Sequence, residues 1–525
     1  MPVPHGDLAQ LAAVVGAVGA AILLLSRTRV ELLAGLGIAA AGEAMLAVAL
    51  IPGHDLKRFV TPATHLAALV FGVLVIAAIA WAFVRWPVAV PVALLAAAPF
   101  RISTSVGTQK AYLLDPLYVV LAASVLALVV RAARGQADRA LPRLIAYPTA
   151  VFVFYTGLSL LWTHDLRAGS IELLFFLFPF SALVVVVVRS PYRAWHPRAL
   201  AVTLVALGTL FAAAALFQRL THGHLLASDV ERANAYTSYF RVTSLFKDPS
   251  VFGRHVVIAI GVLLVAMWLS RVRFWLAAAL IAFLFLGMLP AYSQSSFVAL
   301  FAVTVAVSFV LGGPKLRRVL VVGAAVCVLA GAAFVAATAV SDSARQATSG
   351  RTRLARVTWI AFEHNPLVGV GVGGQPQASR ELAKTQLSAK RDKSHTTPLT
   401  VAAELGVVGF LIYLALMAAT ARLLYLVTRW NRALGLGAAS VFLTLFVHSL
   451  FYAGFFEDPV AWGVIGVAAW ATAVMTAGAA GTLAHAGCVD GSSSVSQSSG
   501  SSSPVPPSPS TSKPVSVPRE SSTPS

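Results

Sequence analysis

The residues of this sequence best equipped for chemistry are one histidine, His395, and a set of arginines, Arg351, Arg353 and Arg356, in a polar stretch between apolar runs. An imidazole can take up a proton near neutral pH. A guanidinium binds phosphate or carboxylate through a planar fork of donors. Residues 340–398 carry nine cations, the others being Arg345, Arg380, Lys384, Lys390, Arg391 and Lys393. They carry four acids, Asp342, Glu363, Glu381 and Asp392. Two readings are open for this excess of positive charge: a solvated basic loop, or a site for an anionic group.

The elements that must position these groups can be read from the same stretch. Ser349 suits the cap of a helix running to Asn365. Leu354, Val357, Ile360 and Ala361 form its apolar stripe, with Trp359 beside it, while Arg353 and Arg356 sit three apart on another face. This is the pattern of a helix lying in a membrane interface. Pro366 stops it. Gly369, Gly371, Gly373 and Gly374 then permit tight turns, either as a simple reversal or with backbone N–H groups open to an anion. Thr397 and Pro398 open the next apolar run, with Thr397 the expected cap, which puts His395 at its boundary. Glu404 lies about two turns into that run, as a functional carboxylate or as a hydrogen-bonding partner of a neighbouring helix. Gly406 and Gly409 clear a face for close helix approach.

Composition sets the environment. Hydrophobic residues are 58% of the 525 and charged residues 11%, about half the charged share of a soluble domain. Fifteen apolar runs long enough to cross hydrocarbon are expected, near 8–25, 32–51, 66–84, 86–100, 113–130, 143–162, 171–188, 199–217, 251–269, 273–290, 296–311, 319–339, 399–419, 434–452 and 459–479. Only Arg85 separates the pair at 66–100. The predicted fold class is therefore all-α, a polytopic transmembrane bundle of 12–15 spans with short interfacial helices in a long external loop. The first run lacks the charged region and cleavage site of a cleaved signal peptide. The net charge of +19 would suggest nucleic acid on a soluble chain. Here arginines such as Arg27, Arg131, Arg189, Arg271 and Arg429 fall in alternate short loops, which the positive-inside rule makes cytoplasmic, so no nucleic-acid partner is expected. The N-terminus is then outside and the C-terminus inside. Loops 218–250 and 340–398 fall outside. The chain thus divides into three regions: N-terminal helices at 1–140, a membrane domain at 141–480, and a Ser/Pro-rich tail at 490–525 that cannot bury a core. Two cysteines, Cys327 and Cys488, supply neither a disulfide framework nor a metal cluster.

The motif spacing resembles the O-antigen ligase and polymerase family of bacterial membrane glycosyltransferases. That family's pattern is S-G-R, a proline fifteen residues on within N-P-L-x-G-x-G, then a histidine followed by Glu at nine and Gly at eleven and fourteen. Arg351 to Pro366 is fifteen, and His395 to Glu404, Gly406 and Gly409 is nine, eleven and fourteen. A second stretch, Arg241 to Gly253, resembles the family's R-x-x-G-T-F-x-N-P-N-x-x-G, with Ser244, Leu245, Asp248 and Ser250 departing from it. Tyr292 to Ser296 resembles a family loop but lacks its arginine.

The resemblance implies a metal-independent, cofactor-free enzyme in the bacterial cytoplasmic membrane. Its donor is a glycan on a polyprenyl diphosphate, and its acceptor is a glycan, lipid or protein hydroxyl at the outer face. It implies Arg241 and Arg351 as a clamp on the leaving diphosphate, with Arg353 and Arg356 as weaker candidates and Gly369 and Gly371 in the binding loop. His395 is the implied general base, in a single displacement with inversion, and Glu404 orients it or holds its helix. No carboxylate pair of the soluble-glycosidase kind stands out. The alternative class is a transporter or flippase of the same lipid-linked glycans, which favours charges deep in the bundle; Glu43 is the main such case in the sequence.

Overall fold

The computed structural model describes residues 3, 5–51, 63–106, 109–137, 139–223, 230–231, 234–236, 238–339, 351–382, 384 and 394–491. Ser349, the basic segment at 385–393 and all but the first two residues of the tail at 490–525 lie outside the described residues. The chain divides into Met1–Thr476, which carries the helical bundle, and Ala477–Ser525, which holds the end of the last helix.

The helices in chain order are α1 (Gly6–Leu25), α2 (Arg29–Leu50), α3 (Ala63–Arg85), α4 (Val90–Ala97), α5 (Asp115–Ala133) and α6 (Arg143–Leu158). Next come α7 (Leu166–Val188), α8 (His196–Thr221), α9 (Pro249–Trp268), α10 (Phe274–Met288), α11 (Gln294–Leu311) and α12 (Pro314–Ala339). The short α13 (Arg351–His364) and α14 (Gln375–Leu382) precede α15 (Thr397–Trp430), α16 (Arg432–Ser449) and α17 (Pro459–Gly491). Thirteen helices among the described residues are long and apolar enough to span a membrane. The predicted pair at 66–100 is one bent unit, its halves meeting at 105° across Pro87, where a proline cannot continue the donor ladder. A two-stranded antiparallel hairpin, β1 (Ile102–Val106) and β2 (Gln109–Leu113), is a small addition to the all-helical expectation.

Lipid offers no hydrophobic drive between helices, so small residues let backbones touch. Helices α1 and α2 pack this way: a Cβ on Gly19 would strike the Ala39 backbone, and one on Gly42 the Gly16 backbone. In α7 a π segment at Leu173–Leu177 loosens the carbonyl ladder, and the Tyr118 hydroxyl donates to the Phe175 carbonyl at 2.6 Å.

The arginine-bearing loops meet at one end of the bundle. The buried Arg189 guanidinium donates to the Ala137 carbonyl (2.5 Å) and to the Ser26 carbonyl (3.0 Å) and hydroxyl (2.8 Å). Arg139 donates to the Ser190 carbonyl at 3.0 Å, as does the Trp470 indole at 2.8 Å. The loops that flank His164 and the glycine run meet at the other end. The positive-inside rule assigns the arginine end to the cytoplasm. In a cysteine-free background, Arg380→Cys is then labelled in intact cells by a membrane-impermeant maleimide. Arg134→Cys, also exposed, reacts only after permeabilisation. The reverse pattern would invert the orientation.

Candidate functional site

The end of the bundle opposite the arginine loops is organised by a break in α15. Gly406 sits at φ 65° and ψ −168° inside this helix, a conformation open in practice to glycine alone. The break uncouples the helical bonds that Val407 and Val408 would donate to Ala403 and Glu404. The glycine run supplies replacements on both sides. Val407 N–H donates to the Pro366 carbonyl (2.8 Å) and Val408 N–H to Leu367 (3.3 Å). The Ala403 carbonyl accepts from Val370 N–H (2.9 Å) and the Glu404 carbonyl from Gly371 N–H (2.8 Å). Gly369 N–H donates to Asn365 at 3.0 Å. The N–H groups of Gly369 and Gly371, expected in the sequence to be a turn or an anion cradle, are therefore engaged by the protein's own carbonyls. Their positive φ values, 73° and 81°, let the loop lie on Glu404 and on Thr163 where a Cβ would collide. The α6–α7 connection fixes the other side: the Thr163 hydroxyl donates to the Val372 carbonyl (2.8 Å), and Val372 N–H to the Ser159 hydroxyl (3.0 Å).

Glu404, nearly buried, accepts from the Gln375 backbone N–H at 3.4 Å through Oε1. The fully buried Gln375 side chain then reaches three elements. Its Nε2 donates to the hydroxyls of Thr358 on α13 (3.1 Å) and Ser379 on α14 (2.8 Å). Its Oε1 accepts from Ser394 N–H at 2.9 Å. Ser394 precedes His395. Glu404 thus acts on the histidine loop through Gln375, a residue that no spacing in the sequence singled out. The expected Thr397 cap is corrected: α15 begins at Thr397 itself, its cap residue is Thr396, and no side chain caps it. The preceding turn is held by the Ser394 hydroxyl, which accepts from Thr396 N–H at 3.2 Å.

His395 is exposed, with its ring 6.2 Å from the Tyr452 ring. Tyr452 belongs to residues 450–458, which join α16 to α17. The ring partners of this segment, Phe442 and Phe152, lie ten residues into α16 and nine into α6, about 15 and 14 Å along those helices. The segment therefore dips into the bundle. Phe455 packs against Phe442, and Phe456 against Phe152 with ring centres 4.5 Å apart. The sequence showed here only the short gap between two spans.

The dip delivers polar groups. Asp458 pairs with Arg254 of α9 at 2.6 Å, and both are buried. This pair joins Glu43 as intramembrane charge and was not legible in the sequence. Burial, with the Asp248 carboxylate nearby, pushes the Tyr452 phenol well above the usual range. It remains a neutral donor across physiological pH. His448 Nε2 lies 3.1 Å from the Ser295 hydroxyl and 3.1 Å from the Ser250 carbonyl. Tyr292 to Ser296, the loop lacking the expected arginine, thereby joins the same cluster.

Arg241 stands at its rim, half-buried. Its backbone is clamped by Asn234, and its Nε donates to the Ala291 carbonyl at 3.2 Å. Ser244 takes φ 53°, a left-handed value that explains why the pattern it resembles has glycine there. Gln218 of α8 secures the turn through both Thr243 and Ser244 N–H groups (3.1 and 2.7 Å). Arg351 begins α13, and its side chain lies outside the described residues. Arg353 is half-buried and Arg356 exposed. Leu354, Val357 and Ala361 are buried as expected, Ile360 is half-buried and Trp359 is exposed. Among the described residues no group of three or more His, Cys, Asp or Glu could hold a metal ion.

Residues 279–414 match the family model described as O-Antigen ligase. The match runs from α10 through the glycine run and the α15 break, and includes His395 and Glu404. It supports a membrane domain of the ligase or glycosyltransferase type within a multi-pass protein. None of the curated proteins matches the chain.

Two substitutions separate strain from mere glycine content. A Cβ on Gly406 would overlap the Leu367 carbonyl, whereas one on Gly437 meets nothing within 4 Å. Gly406→Ala should destabilise by about 1–3 kcal/mol, and Gly437→Ala should stay within about 1 kcal/mol of wild type. Thermal unfolding in detergent checks both. Gln375→Leu strips the Ser394 N–H and the Thr358 hydroxyl of this partner and should cost about 1–3 kcal/mol. An unchanged unfolding midpoint would contradict its bridging role.

Proposed function

We propose that this chain, through the domain that carries the O-antigen ligase match, is an inverting, metal-independent glycosyltransferase. Its donor is a glycan on a polyprenyl diphosphate, and its acceptor is a hydroxyl at the outer face of the bacterial cytoplasmic membrane. The observation that carries this reading is the meeting of His395 with the Tyr452 end of a polar cluster sunk into the bundle. A lipid-linked donor needs its reactive carbon at the membrane boundary while its tail stays in hydrocarbon.

In this reading Arg241 and Arg351 hold the leaving diphosphate, where fixed positive charge is worth most as negative charge develops. Arg353 and Arg356, on the same short helix, extend the basic surface toward it. His395 takes the acceptor proton as the hydroxyl attacks the anomeric carbon, and the carbon–oxygen bond to the diphosphate breaks. One displacement inverts that carbon. Tyr452, held as a neutral donor, orients an acceptor or donor oxygen. Glu404, Gly369 and Gly371 serve by fixing the loop, since their polar groups are turned inward on the protein. The acceptor class, glycan, lipid or protein, is set by surfaces beyond these residues. The buried Arg254–Asp458 pair is the feature that favours the alternative, transport of the same lipid-linked glycan.

Purified protein given a lipid-linked oligosaccharide and candidate acceptors should form product in the presence of EDTA. His395→Ala should reduce turnover by about 10²–10⁴-fold, and Arg241→Ala by about 10²–10³-fold, with unfolding midpoints kept. Flipping of the donor without transfer, unaffected by either change, would establish transport in place of transfer.

A further inference from the structure

A cavity lies away from this site. It has a volume of about 830 Å³ and runs between α4, α7, α8, α9, α10, α16 and α17. Neither His395, Tyr452 nor Arg241 lines it. Its wall is apolar, with charge at one end only: Arg198 at the start of α8 and Arg271 between α9 and α10, both exposed, with Asn431 beside them. No acid lines it among the described residues. That end lies in loops the positive-inside rule makes cytoplasmic. Gly437 and Gly463 face the cavity from α16 and α17, and a Cβ on either meets nothing within 4 Å. Facing helices usually close on such glycines, as α1 and α2 do; here they leave a slot.

We propose that this cavity is a binding site for an anionic phospholipid of the cytoplasmic leaflet, its phosphate on Arg198 and Arg271 and an acyl chain in the slot beside Gly437 and Gly463. Charge complementarity selects the occupant. Two guanidinium groups with no neighbouring carboxylate suit a phosphate, and the volume lies in the range of small-ligand sites. A tail entering from the outer face would carry its phosphate away from both arginines. The chain's own Ser/Pro-rich end has too few large apolar residues to fill the slot. The inference rests on the orientation of the bundle and is independent of the transfer chemistry.

Native mass spectrometry of the full chain with phosphatidylglycerol or phosphatidylcholine tests it. Wild type should retain phosphatidylglycerol over phosphatidylcholine by on the order of tenfold. The double variant Arg198→Gln/Arg271→Gln should bring the ratio near one. Gly463→Leu should lower retention of both lipids, and Gly437→Leu provides the same block from the opposite helix. Equal retention in wild type would overturn the proposal, as would a preference that survives the double substitution. So would retention unchanged by both leucines. A polyprenyl phosphate that displaces phosphatidylglycerol and loses its own binding in Gly463→Leu would give the slot to the donor tail instead.

Discussion

A helix can break within a bundle only if other groups take over the backbone bonds it gives up. At Gly406 that exchange is complete: two freed N–H groups go to Pro366 and Leu367, and two freed carbonyls are met by Val370 and Gly371. The glycine run and the histidine loop are fixed relative to this splice. The glycine run is locked in place, Glu404 is turned toward α14, and Gln375 carries the constraint to Ser394 and so to His395. The glycines matter here for what they allow the backbone to approach. Their amides are occupied.

The second constraint is the dip at 450–458. Its aromatic residues fill the core between α6 and α16, and this anchorage carries Tyr452 and Asp458 down to Asp248 and Arg254. A buried ion pair gains little net stability, because desolvation offsets much of the attraction, yet breaking one partner from it is costly. The pair therefore acts as a registration device, fixing where the dip meets α9. At the opposite end Arg189 has a similar role: its guanidinium ties its own loop to the carbonyls of Ala137 and Ser26, and its carbonyl accepts from Arg131. The arginines of short loops thus do more than set orientation.

Much of this was legible in the sequence, and for identifiable reasons. Hydropathy found the spans because each must be apolar over its whole length, and only the pair at 66–100 merged into one bent unit. The spacing from His395 to Glu404 and Gly406 pointed to a special site because those residues occupy one loop and one helix start. The break itself was hidden. Gly406 read as a small residue for helix packing, since no local rule distinguishes that from a glycine at positive φ. Gln375 was missed because its partners lie on elements far apart in sequence. Arg254 and Asp458 were missed because each sits near the end of an apolar run, where a charge reads as boundary. Ser244 is the reverse case: its departure from the family's glycine is accommodated by Gln218, which a single sequence does not reveal.

The most direct test of a transfer site at His395 is a cryo-electron microscopy map of the protein in nanodiscs with a non-transferable polyprenyl-diphosphate glycan analogue. The predicted result is diphosphate density against the Arg241 side chain, with the first sugar between His395 and Tyr452. Diphosphate density at the cytoplasmic end, or a first sugar beyond reach of the His395 ring, would contradict it.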